Sequence, residues 1–174
     1  MKTTTRYLVF LDIDGVFTSA RVHYAHGAEY NMWHRFDPVA VDFLNKLHDR
    51  YPVEFVLIST WKDGLMVDHM MTQHWMASAF ANSGFRGSFA DQWKTDPDNV
   101  GLAKPRPYNR AHEIRDYLAT YGTQIQDYFI LDDQDYGFDA VLGKKRWVRT
   151  DTDEGLLWRH MKNAMSLVGQ WQEK

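Results

Sequence analysis

The amino-acid sequence predicts a three-layer α/β domain on a doubly wound parallel sheet. Three observations predict it: short apolar runs without polar alternation, amphipathic helical patterns between them, and acids or hydroxyls at the end of each strong run. Near-continuous apolar runs are the habit of strands buried on both faces. Their alternation with helices calls for parallel crossover connections. Such sheets bind ligands beyond the carboxyl ends of their strands.

In chain order, the first run is Tyr7 to Leu11, ending at Asp12. Residues 15–36 are expected to form a hairpin flap beside that strand end, centred on Arg21 to Trp33. Asp37-Pro38 is a helix start, an N-cap followed by proline at the first helical position. Val39, Phe43, Leu44 and Leu47 then fall on one face. The second run, Val53 to Ile58, ends at Ser59 and Thr60. A further strand is expected within Ala77 to Phe89. Ala111, Ile114, Leu118 and Tyr121 mark a helix closed by Gly122. The third run, Tyr128 to Leu131, ends at Asp132 and Asp133. Arg146-Trp147-Val148 is a weaker strand, and Leu157, Met161, Ala164, Leu167 and Val168 mark a last helix.

The 174 residues suit a single domain over 1–174. Hydrophobic residues at 44% and charged residues at 25% are the balance of a globular chain. A net charge of −3 supplies no global positive field for nucleic acid, which leaves only a local basic groove. The absence of cysteine excludes disulfides, thiolate metal sites and a cysteine nucleophile. No stretch approaches the ~20 apolar residues of a membrane helix. The run from Tyr7 to Leu11 is too short for a signal-peptide core. A cytoplasmic, membrane-free protein is expected; oligomeric state is not legible.

Asp12-Ile13-Asp14-Gly15-Val16 carries two carboxylates leaving a strand into a glycine turn. One can attack phosphorus to form an aspartyl-phosphate. The other can protonate the leaving oxygen and later take a proton from water. Acids this close favour a raised pKa or a bound cation. Magnesium prefers a few carboxylates with water and phosphate oxygens. Asp132 and Asp133 complete such a set, and Ser59 and Thr60 offer hydroxyls to phosphate. An Asp-x-Asp pair is weak alone: about two arise by chance at this composition, and four occur. The agreement of three strand ends carries the argument.

These motifs resemble the haloacid dehalogenase (HAD) superfamily of phosphatases. The resemblance implies Asp12 as nucleophile and Asp14 as general acid/base, with the Asp14 backbone carbonyl on Mg2+. It matches Ser59 to the second motif and Asp132-Asp133 to the fourth. Asp133 is then the direct metal ligand and Asp132 its support, so the implied metal set is Asp12, Asp14, Asp132 and Asp133. Asp135 or Asp139 is a further candidate beside them. Lys104-Pro105-Arg106-Pro107 looks like the third motif, whose cation holds phosphate and nucleophile; Arg110 is its rival. Phe36-Asp37-Pro38, Ile58 to Lys62, Arg110 to Leu118, Arg149-Thr150-Asp151 and Gly155-Leu156 are similar to one subgroup, the HAD domain of multi-enzyme RNA-repair proteins.

Only about forty residues separate Asp14 from the second strand, too few for a large cap. An open site suits a large phosphorylated substrate, a nucleotide or a polynucleotide end. Tyr24, Tyr30 and Trp33 are candidates for base stacking, and Arg21, Arg35, Lys62 and Arg106 for further phosphates. Trp61 either walls the site or caps the core. The alternatives are a catalytically silent phospho-ligand or nucleic-acid binding domain and a phosphotransferase on the same fold. His23, His26 and His34 are read as solvated and not as a zinc site.

Overall fold

A computed structural model describes residues 6–27, 36–63, 73–96 and 109–174. Five parallel strands form one sheet: β1 (Arg6–Leu11), β2 (Val53–Leu57), β3 (Phe89–Lys94), β4 (Ile125–Asp132) and β5 (Trp147–Arg149). Their order is β3-β2-β1-β4-β5. The chain works outward from β1 to one edge, then returns to build the other. This reversal beside β1 is the crevice where open α/β sheets take ligands.

The central stretches of β1, β2 and β4 are nearly all apolar because both faces are covered. Tyr7, Val9, Leu11, Phe55, Leu57, Phe129 and Leu131 belong to one core cluster. Leu8, Phe10, Val56, Ile58, Tyr128 and Ile130 belong to the other. This is the period-two alternation of a pleated strand, with apolar partners on each side. Helices α2 (Pro38–Arg50), α3 (Gln73–Asn82) and α6 (Trp158–Leu167) supply residues to the first face. Helices α4 (Arg110–Tyr121) and α5 (Phe138–Leu142) supply the second. Fully buried Phe10, Phe55, Phe80 and Phe129 contribute roughly 1.5–3 kcal/mol each.

Asp37 caps α2 as the sequence predicts, its carboxylate accepting from the Val39 N–H at 2.9 Å, with Pro38 in the first turn. Gly122 follows α4. Three expectations are corrected. Val39 is 48% exposed, because the buried stripe of α2 starts at Ala40 and Val41. The strand expected within Ala77 to Phe89 lies at Phe89–Lys94, and α3 occupies 73–82. As a half-buried edge strand of mixed polarity, β3 lacks the apolar run that announces a central one. The expected hairpin over 15–36 is, in its described part, a tight turn followed by the short helix α1 (Ala20–His26), capped by Ser19; residues 28–35, with Tyr30, Trp33 and Arg35, lie outside the described residues. Among the described residues no helix is long and apolar enough to cross a membrane.

Candidate active site

Strand register assembles the site. Leu11 pairs with Leu57 on one side and Leu131 on the other, so the residues that follow leave the sheet at one level. The Asp12 N–H donates to the Leu131 carbonyl at 2.9 Å, and the Ile58 N–H to the Leu11 carbonyl at 2.9 Å. Asp12, Ser59, Asp132 and Asp133 therefore share one sheet edge, and all four are buried.

Asp12 is held from several directions. The Ile13 N–H donates to Oδ1 at 2.8 Å, and Ser59 adds a side-chain hydrogen bond. Arg110 Nη1 lies 2.6 Å from Asp12 Oδ2 and 2.7 Å from Asp132 Oδ2. Burial raises the Asp12 pKa against the opposing pull of Arg110. Burial, and then the neighbouring Asp12 charge, raise that of Asp132. Both shifts follow from desolvation of acids that share one guanidinium.

Arg110 is placed by the start of α4. Asn109 caps that helix, accepting from the Ala111 and His112 N–H groups and donating to the Tyr136 carbonyl. The guanidinium also lies over the Tyr136 ring, 4.9 Å from its centroid. Of the two candidates for the third motif, Arg110 stands beside Asp12. Lys104, with Arg106, lies outside the described residues.

Asp133 is held by neutral donors: Thr152 Oγ1 at 2.5 Å and Gln134 Nε2 at 3.1 Å, both to Oδ2. Asp12, Asp132 and Asp133 offer carboxylate oxygens that lie within 4.8 Å of one another. An all-oxygen, buried, acid-rich cluster has the donor chemistry of a hard divalent cation. Gly15 closes against it with φ +70°. A Cβ there would stand 2.5 Å from Asp133 Cγ, so backbone conformation and space both require glycine. Asp135 instead caps the Gly137 N–H, and Asp139 is an exposed residue of α5.

The Asp14 side chain stands apart from that carboxylate cluster. Thr18 Oγ1 donates to its Oδ1 at 2.8 Å and Trp61 Nε1 to its Oδ2 at 2.9 Å. Trp61 thus both walls the site and packs in the core. Thr60 and Trp61 begin a 3₁₀ turn, Thr60–Asp63, that follows β2. Lys62 is not an outer phosphate contact: its side chain is fully buried, with Nζ 3.3 Å from Glu113 Oε2, to which Thr95 donates at 2.7 Å. Arg21 pairs with Asp37 and donates to the Glu154 carbonyl. Sequence reading missed the roles of Thr18, Thr95, Glu113 and Thr152. Thr95, Glu113 and Thr152 carry no local mark, because each acts on a residue brought near only by the fold; Thr18 acts within its own turn, four residues from Asp14.

A parallel sheet whose switch-point edge gathers a buried aspartate, its arginine and two further acids defines a phosphohydrolase-type α/β domain of the HAD class. The chain matches, over residues 8–161, the family described as the HAD domain in Swiss Army Knife RNA repair proteins, and it belongs to that family. No curated protein and no solved structure matches it.

Proposed function

We propose that the protein is a magnesium-dependent phosphomonoesterase that uses Asp12 as nucleophile on the terminal phosphate of a nucleotide or nucleic acid. One observation carries the reading: a buried aspartate at the end of β1, aligned by Arg110 at 2.6 Å, beside Asp132 and Asp133. An Asp12 oxygen attacks phosphorus as the bond to the leaving oxygen breaks, and Asp14 gives that oxygen a proton. Asp14 then takes a proton from a water whose oxygen attacks the aspartyl-phosphate. Phosphate leaves and the Asp12 carboxylate is restored. Asp12, Asp133 and the Asp14 carbonyl, with Asp132 in support, would hold Mg2+, which offsets charge on the transferring group. Ser59, Thr60 and Lys104 are the proposed donors to phosphate oxygens.

The substrate class is supported by the family's association with RNA repair and by the lack of a cap domain among the described residues. Without a lid to close over a small substrate, affinity must come from surfaces beside the phosphate site. Tyr24, 87% exposed on α1, is the proposed stacking surface. The test is phosphate release with Mg2+ from a 3′- or 5′-phosphorylated oligonucleotide, a nucleoside monophosphate and a hexose phosphate, with Asp12→Asn alongside. The nucleic-acid substrates should give the higher kcat/KM, and the variant none. A clear preference for hexose phosphate overturns the substrate class; turnover by Asp12→Asn overturns the mechanism.

A further inference from the structure

Among the described residues, four acids at turns and helix starts bond their own backbone. Asp37, Asp132, Asp135 and Asp151 each accept from the N–H two residues ahead. The bonds of the Asp14 carboxylate run instead to two side chains, Thr18 four residues on in the same turn and Trp61 forty-seven residues on. Asp14 is exposed and lies in a turn, where an untethered carboxylate samples several rotamers.

We infer that Trp61 and Thr18 are positioning residues that aim the Asp14 carboxyl group for proton transfer. The inference rests on the phosphohydrolase reading above and deepens it. The Trp61 indole cannot retreat. It is 1% exposed, lies 6.2 Å from the Phe36 ring, and begins a turn whose own N–H bonds Ser59 Oγ at 3.4 Å. Phe36 in turn packs on Phe17, in the turn that carries Asp14. The same turn is closed by the Gly15 N–H donating to the Thr18 carbonyl at 2.8 Å. Trp61 therefore ties the end of β2, with Ser59, to the acid/base that follows β1.

The two donors differ in chemistry. An indole N–H only donates, so Trp61 serves Asp14 Oδ2 as a fixed donor. A threonine hydroxyl both donates and accepts. Thr18 Oγ1 lies 2.8 Å from Asp14 Oδ1 and 3.5 Å from the Ile13 carbonyl, to which its hydrogen can turn. Two bonds, one to each carboxylate oxygen, thus fix the direction of the group.

Trp61→Phe keeps an aromatic ring but deletes the donor together with part of the indole's buried volume. Its kcat/KM should be compared with wild type on 4-nitrophenyl phosphate, whose leaving group needs little protonation, and on phenyl phosphate, which needs more. A mispositioned acid should cost about ten- to a hundred-fold more on phenyl phosphate. Thr18→Val should shift the ratio in the same direction. Equal losses on both esters would mean that Trp61 only packs, and overturn the inference alone. Wild-type protein that releases phosphate from neither ester, nor from a phosphorylated oligonucleotide or a nucleoside monophosphate, overturns the phosphohydrolase reading, and the proton-transfer role with it. A measurement independent of turnover is the Trp61 indole N–H resonance, identified by its loss in Trp61→Phe. It should move upfield in Asp14→Ala, and an unmoved resonance overturns the clamp.

Discussion

Arg110 Nη1 lies 2.6 Å from Asp12 Oδ2, a buried pair with side chains 6% and 3% exposed. The same nitrogen reaches Asp132 at 2.7 Å, so one cation spans the ends of β1 and β4. Two buried acids depend on it.

Arg110→Ala should therefore affect fold and chemistry together. Removing one partner of a buried ion pair costs about 3–5 kcal/mol, because the remaining charge is uncompensated. Loss of a preorganised cation at the nucleophile should lower kcat by about 10²–10³-fold. Arg110→Lys should recover stability better than rate, since a single ammonium cannot reproduce the planar fork. Lys104→Ala, if Lys104 grips phosphate, should raise KM with little change in melting temperature. Denaturant unfolding and kinetics on the three variants check this. An Arg110→Ala enzyme with wild-type kcat would remove Arg110 from the site.

Divalent magnesium should stabilise the protein more as pH rises. Asp132 is pushed up to about 7 by burial and the Asp12 charge, and Asp12 is shifted in the same direction. A carboxyl group with its folded pKa above its unfolded value holds more protons when folded. Stability from these acids is then greatest below about 4, the ordinary carboxylate value, and falls as pH rises toward neutrality. A bound cation reverses that cost, but only on deprotonated ligands. Melting curves at pH 5.5 and pH 8, with and without Mg2+, should show the larger increment at pH 8. A larger increment at pH 5.5 would contradict the Asp12–Asp132–Asp133 site.

The Lys62–Glu113 pair is predicted to be structural, fixing α4 against the turn after β2. Both side chains are 0% exposed, and Glu113 lies one helical turn beyond Arg110. Lys62→Met alone should destabilise by about 3–5 kcal/mol, leaving Glu113 without its lysine partner. Lys62→Met with Glu113→Leu should recover most of that loss, because neither charge then remains buried. Denaturant midpoints across the cycle give the coupling. A double variant no more stable than Lys62→Met alone would show that the pair is not the source of the cost.

The core of the fold and half of the site were legible from local pattern. Tyr7 to Leu11, Val53 to Ile58 and Tyr128 to Leu131 announce central strands because such strands are nearly continuously apolar, with Glu54 the one charged exception. Edge strand β3, with Asp91, Gln92 and Lys94, carries no such mark. Helix α1 is seven residues long and follows a turn, too short for periodicity to distinguish it from a hairpin.

By itself the sequence determined the parallel α/β class, the family and the acids at the strand ends. Those properties follow from burial on both sheet faces and from motifs contiguous in the chain. Tertiary structure alone decided which cation meets Asp12, that Lys62 is buried against Glu113, and that Asp14 is held by Thr18 and Trp61. Arg110 and Asp12 are far apart in sequence and adjacent only because α4 starts beside the switch point. Trp61 reaches Asp14 because β1 and β2 run in register and end at one level. Contacts of this kind depend on strand order and register, which no local spacing encodes.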